Sequence, residues 1–257
     1  MEIRIGTSGY SFDDWKGAFY PPDIEKGKML NFYQTQFQTV EVNSTYYHIP
    51  HPAVLTNMAA KTGPNFEFII KANQNLTHQR REIKAPAREF INAIAPIAER
   101  GQLKGILAQF PWSWKYSPAN LQYLATCREI LAPHPLFVEF RHDSWLRSET
   151  NDMMRRYDIG FVSVDGPRLQ GLMPPEFVVT GKTAYIRLHG RNADHWWSGG
   201  ALRYDYSYSR GELQEWKDKI AQFKGDVKKS FIFFNNCHLG QAVKNARDLM
   251  QMLDLQG

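Results

Sequence analysis

Eight times along this chain a short run of alternating apolar and polar residues appears, with helical spacing in nearly every gap between runs. No other feature narrows the fold as far. The runs are 3–8, 39–43, 66–72, 105–110, 136–141, 160–165, 184–189 and 230–235. Residues two apart on a strand share a face, so each run has an apolar half and a polar half. In the fifth run Leu136, Val138 and Phe140 share one face, and Phe137, Glu139 and Arg141 share the other.

The gaps carry helix signals. Helical spacing covers 29–37, 52–61, 86–100, 118–132, 149–157 and 242–253. Pro52 and Pro118 suit a first helical turn, Ser117 suits an N-cap, and Gly101 suits a C-terminal stop. Ser209 and Glu212 form an S-x-x-E capping box for a helix that Gly225 closes. The connection over 166–181 is rich in Gly and Pro, so no regular helix is expected there. Strands alternating with helices imply a parallel sheet, and eight units in 257 residues imply one α/β domain over 1–257, a TIM-like (β/α)8 barrel with an irregular connection between strands six and seven. An open doubly wound sheet competes, but the G-x-G-x-x-G or P-loop lysine motif that usually marks it is missing.

Hydrophobic residues at 43% and aromatics at 14% supply a core, and 22% charged residues place the chain outside the disordered class. The net charge of +5 is compatible with anionic ligands without requiring them. Cys127 and Cys237 lie far apart, which argues against a disulfide framework and fits a reducing compartment. With no apolar leader and no run of membrane-spanning length, a soluble cytoplasmic protein without a membrane partner is expected.

In a parallel barrel the apolar half of each strand packs on the helices, so the polar half should turn inward. That reasoning gathers Glu41, Asn43, Lys71, Gln109, Glu139, Arg141, Asp165, Arg187, His189 and the Asn235–Asn236 pair. Nearly all fall at the ends of their strands, toward the C-terminal mouth where barrel enzymes work. Unpaired ionised groups in a dry interior cost several kcal/mol, so these must pair, solvate or serve a ligand. For Arg141, a buried ion pair with Glu41 or Glu139 is the competing structural role, and Arg187 has a similar alternative. Arg80 and Arg191 on loops add cations suited to phosphate or carboxylate. Tyr10, Trp15, Tyr46, Trp112, Trp114, Trp145, Trp196 and Trp197 lie on loops after strands, where aromatics stack on sugars or bases or anchor the rim.

In order, the chain reads G-T-S-G-Y, E-x-N-x-T-Y-Y, T-H-x-x-R, Q-F-P, V-E-F-R-H-x-S-W, R-L-H-G-R, Y-S-Y-S and N-N-x-H. Together these motifs resemble the YecE-like family, also called domain of unknown function 72, over nearly the whole chain. The resemblance implies a TIM-type barrel without assigning a reaction. It also implies that Thr7, Tyr10, Glu41, Asn43, His78, Gln109, Glu139, Arg141, His142, Trp145, Arg187, His189 and Asn236 share a pocket.

The leading expectation is a hydrolase-like enzyme acting on a phosphorylated or anionic sugar-like or nucleotide-like substrate. Glu41, Glu139, Asp165 and His189 are its candidate acid–base groups. Thr7, Tyr10, Asn43, Tyr46, Lys71, His78, Arg80, Gln109, Arg141, His142, Trp145, Arg187, Arg191 and Asn236 are its candidate binding groups. No cofactor is required by the sequence. A divalent metal stays open, although cations beside the acidic candidates disfavour one, and metal-independent chemistry is the working expectation. The competing functions are nucleic-acid binding without catalysis, a metal-dependent phosphoesterase or nuclease, and a glycoside hydrolase.

Overall fold

The computed structural model describes residues 1–222 and 227–255. Its strands are β1 (Glu2–Thr7), β2 (Thr39–Val42), β3 (Glu67–Lys71), β4 (Leu103–Gln109), β5 (Leu136–Glu139), β6 (Ile159–Asp165), β7 (Thr183–Leu188) and β8 (Lys229–Phe234). All pair in parallel in one sheet of order β1-β8-β7-β6-β5-β4-β3-β2. A bridge from Ser8 to Glu41 brings β1 back to β2, with the Gly9 N–H donating to the Glu41 carbonyl at 2.8 Å. The result is a nearly closed (β/α)8 barrel.

The helices are α1 (Met29–Tyr33), a single turn α2 (Ser44–Tyr47), α3 (Pro52–Ala60), α4 (Lys84–Glu99), α5 (Pro118–Ile130), α6 (Ser148–Arg156), α7 (Arg210–Gln222) and α8 (Gln241–Met252). The expected caps form. Ser117 Oγ accepts from Asn120 N at 3.1 Å, and Ser209 Oγ and Glu212 make the reciprocal box at the start of α7. Gly225, expected to close α7, lies outside the described residues.

Between β6 and β7 the chain runs without a helix. Instead it lies along the outer face of β6: Ser163 Oγ accepts from Val178 N at 2.9 Å, and Thr180 Oγ1 accepts from Phe161 N at 2.9 Å. A segment broken by Pro167, Pro174 and Pro175 thus satisfies polar groups that a helix would leave unpaired.

Barrel interiors are usually filled by branched aliphatic side chains. Here rings do much of the filling. Phe137 meets Tyr185 edge-on at 5.1 Å, and Tyr185 meets Phe233 at 5.4 Å. The Phe137 ring fits because both neighbouring strands carry glycine beside it. A Cβ on Gly105 or Gly160 would stand 2.4 Å from a ring carbon. At the N-terminal end the interior closes with ion pairs, Glu67 taking Lys229 at 2.5 Å and Arg4 at 3.4 Å.

Candidate functional site

Strand β7 sets up the site. Tyr185, Arg187 and His189 follow at two-residue steps, so all three side chains point into the barrel. Arg187 is 1% exposed, and its guanidinium fork grips two carboxylates. Nε and Nη2 donate to the two oxygens of Glu41 at 2.8 and 2.6 Å, and Nη1 donates to Glu139 at 2.5 Å. Glu41 also accepts from the Tyr185 hydroxyl at 2.5 Å and from Asn43 Nδ2 at 3.0 Å.

The second oxygen of Glu139 faces Arg141 Nε at 2.5 Å and His189 Nε2 at 3.2 Å. Both are close contacts without hydrogen-bond alignment, and only the one from Arg141 is between charges. The Asn235 amide lies 2.9 Å from His189 Nδ1. With that amide donating, the ring proton sits on Nε2 and faces Glu139.

Electrostatics follow from this packing. Burial pushes the Glu41 carboxyl up, but Arg187 and the Tyr185 hydroxyl more than reverse it, and the group titrates below its ordinary range. For Glu139, burial is outweighed by Arg141 and Arg187, and the carboxyl falls well below that range. Burial and the Arg141 charge push His189 down to about 3, so its imidazole is neutral at physiological pH. Neither carboxylate carries a proton to donate near pH 7, and the imidazole accepts one poorly.

Above this floor opens a cavity of about 420 Å³ at the C-terminal mouth. Tyr10, Asn43, Lys71, Gln109, Arg141 and Arg187 line it. Lys71, at the end of β3, donates to Gln109 Oε1 at 2.7 Å and places its ammonium 4.5 Å from the Tyr46 ring centre. It makes no ion pair among the described residues. The two arginines and two glutamates cancel, which leaves Lys71 as the surplus charge at the mouth. Burial first, then Arg187, lowers its pKa to about 7. His78 stands against Tyr46 at 5.0 Å, and burial with the Lys71 charge lowers it to about 4.

Several expected site residues lie elsewhere. Asp165 points outward from β6 and accepts from Trp216 Nε1 at 2.6 Å and Tyr208 Oη at 2.9 Å. Arg191 joins it at 2.8 Å and also reaches Glu212 and Glu215, outside the barrel. The parity argument fails at β6 because its outer face is polar, met by the loop over 166–181 and by α7. Thr7 also faces outward, bonded to the Tyr33 hydroxyl at 2.9 Å.

Asn236 turns to α8, donating to Asn245 Oδ1 at 2.9 Å; its neighbour Asn235 lines the mouth instead. Trp145 is buried behind β5, stacked on Phe140 at 4.3 Å and Trp114 at 4.7 Å. Arg80, in the left-handed conformation, donates to the Thr77 and His78 carbonyls and braces its own loop. His142 caps the turn that follows it, accepting from Ser144 N at 3.0 Å.

Ser8 and Tyr185 were missed, although parity marks both; of the Asn235–Asn236 pair that parity offered, Asn235 is the one at the mouth. Ser8 lies two residues after Gly6, just past the end of β1, and Tyr185 lies two residues before Arg187 on β7. Among the rim aromatics, Tyr47 and Trp197 are 75% and 55% exposed, whereas Trp15, Trp114 and Trp196 are buried anchors.

Among the described residues no three His, Cys, Asp or Glu side chains gather to hold a metal. The cation between Glu41 and Glu139 is the Arg187 guanidinium. No helix among the described residues is long and apolar enough to cross a membrane.

A family model described as protein of unknown function DUF72 matches residues 4–257. The UPF0759 protein YunF of Bacillus subtilis (strain 168) is 29% identical over 272 residues, covering 99% of this chain and 95% of that protein. The crystal structure of a DUF72 family protein (TM1631) from Thermotoga maritima MSB8 superposes with a TM-score of 0.92 at 40% identity, covering 99% of this chain and 100% of that one. A DUF72 family protein (EF0366) from Enterococcus faecalis V583 has the same fold, with a TM-score of 0.89 at 24% identity and coverage of 99% and 96%.

Proposed function

The chain belongs to the DUF72 family, and from the geometry of its mouth we propose that it is an enzyme acting on a small phosphorylated or otherwise anionic sugar-like or nucleotide-like compound. The observation that carries this reading is Lys71, an amine about half protonated near pH 7 and with no carboxylate partner among the described residues, at the wall of a cavity of about 420 Å³. That volume falls within the usual range for small-ligand sites, roughly 300–1,000 Å³. Arg141 lines the same cavity and offers its guanidinium to a second anionic oxygen. Asn43, Asn235 and Tyr10 supply neutral polar contacts for hydroxyl groups.

The carboxylates work as fixed charges in this account. Glycoside hydrolysis needs a protonated general acid, and Glu41 and Glu139 are held ionised around one guanidinium. Hydrolysis of a phosphate ester would place Lys71 and Arg141 on the phosphate, with Lys71 as the group that changes protonation near neutral pH. A nucleic-acid rim built on Arg80 and Arg191 is disfavoured, because both guanidinium groups are committed to internal partners.

Calorimetric titration with sugar phosphates, nucleotides and their unphosphorylated counterparts tests the reading. Saturable binding of phosphorylated compounds alone, weakened at least tenfold in Lys71→Met, is expected. Equal binding of neutral sugars, or binding indifferent to Lys71, would defeat it.

A further inference from the structure

We propose that Lys71 forms a covalent imine with an aldehyde or ketone carried by the anionic substrate. This deepens the reading above and rests on it. Four features of the mouth support it. The amine stands at the C-terminal end of a barrel strand and opens into the cavity. Gln109 Oε1, 2.7 Å away, accepts an N–H from the neutral amine as well as from the ammonium, more weakly in the neutral state, so it orients the nitrogen in either one. The Tyr46 ring covers one side of it at 4.5 Å. Arg141 is left to hold the anionic group while the amine meets a carbonyl.

The charges around Lys71 act in both directions. Arg187 and Arg141 disfavour the ammonium, while Glu139 and Glu41 favour it. Both carboxylates are already engaged by guanidinium groups, so burial and the arginines prevail. Desolvation beside other cations is a general route to a nucleophilic lysine. A pKa of about 7 gives a neutral fraction at pH 7 about 10³-fold larger than that of an ordinary lysine near 10.4.

The step balances without an added oxidant or reductant. The Nζ lone pair forms a C–N bond to the carbonyl carbon, and a proton from the nitrogen moves to the oxygen. The carbinolamine's C–O bond then breaks, its hydroxyl takes the remaining Nζ proton and leaves as water, and the C=N bond of the imine is formed. Once protonated, the imine withdraws electrons from the adjacent carbon, which permits proton removal or carbon–carbon cleavage there.

Borohydride trapping tests the proposal directly. Protein incubated with dihydroxyacetone phosphate or glyceraldehyde 3-phosphate is reduced with sodium cyanoborohydride and mapped by mass spectrometry. A stable adduct on the peptide bearing Lys71 is expected, and it should be lost in Lys71→Met and Lys71→Arg variants whose thermal melts show a folded protein. An adduct spread over surface lysines, unchanged in Lys71→Met, would overturn it. Glycerol 3-phosphate, which has no carbonyl, separates this proposal from the broader one. If it binds with Lys71-dependent affinity while the carbonyl compounds leave no adduct on Lys71, the anion site stands and the imine falls. If none of these compounds binds, both fall.

Discussion

Replacing Arg187 with Met should unlock the barrel floor, and the loss should depend on pH in a defined direction. Arg187 holds both oxygens of Glu41 and one of Glu139, and both carboxylates are 0% exposed. Removing one partner of a buried ion pair typically costs about 3–5 kcal/mol, because the other charge stays buried and unpaired. Glu139 keeps Arg141, so most of the loss falls on Glu41. In the native chain both carboxyls titrate below their unfolded values. Their contribution is therefore present above the unfolded pKa and lost as pH falls through the folded one.

In the variant, burial without Arg187 raises the Glu41 pKa and the folded state takes up a proton. The stability gap between variant and native protein should then be widest near pH 7 and shrink below about pH 5. Urea unfolding at pH 7 and pH 4.5 measures the gap at both ends. At pH 7 the melting temperature should drop by roughly 6–20 °C, taking about 2–4 °C per kcal/mol for a chain of this size. Adding Glu41→Gln should recover part of the loss. A gap below about 1 kcal/mol, or one that stays constant with pH, would refute the view that Arg187 neutralises buried carboxylates.

Three further outcomes follow from the geometry. Gly160→Ala should destabilise by about 1–3 kcal/mol through overpacking against Phe137, read by urea unfolding; the companion change Phe137→Leu should relieve it. Asp165→Ala removes the shared acceptor of Trp216, Tyr208 and Arg191. Calorimetry and unfolding together should show lower stability with unchanged ligand affinity at the mouth, whereas lost affinity with full stability would return Asp165 to the site. His189 should show no imidazole titration above about pH 4 by NMR, since its pKa is near 3 in the folded chain. Its folded value lies below its unfolded one, so its contribution is present above about pH 6.5 and is lost as pH falls from there.

The barrel was legible because apolar halves of strands recur beside helical spacing, and β5 shows the rule at its clearest. Val138 and Phe140 meet the helical layer, while Glu139 and Arg141 meet the mouth. Parity also ordered β2, β3, β4 and β7 correctly. It broke at β6, where the outer neighbour is an irregular loop with hydrogen-bonding groups, so Ser163 and Asp165 face outward at no cost in unpaired polar atoms. On β8 parity favoured Asn235 through Phe231 and Phe233, and the family motif drew attention to Asn236 instead. Loop residues were the least readable. Nothing in the local pattern says that Arg80 curls back on its own carbonyls, or that Trp145 folds behind the strand onto Phe140. The fork of Arg187 was readable only as a choice between ion pair and ligand contact, since parity places side chains on a face without giving the distances between them.

The polar halves of the strands are expected to assemble one anion site at the C-terminal end of the barrel. A crystal structure of the protein soaked with glycerol 3-phosphate tests it most directly. The account predicts the phosphate within hydrogen-bonding reach of Lys71 and Arg141, above an undisturbed Arg187–Glu41–Glu139 floor. Phosphate seated instead on Arg4, Lys104 and Lys229 at the opposite end, with the mouth holding only solvent, would contradict it.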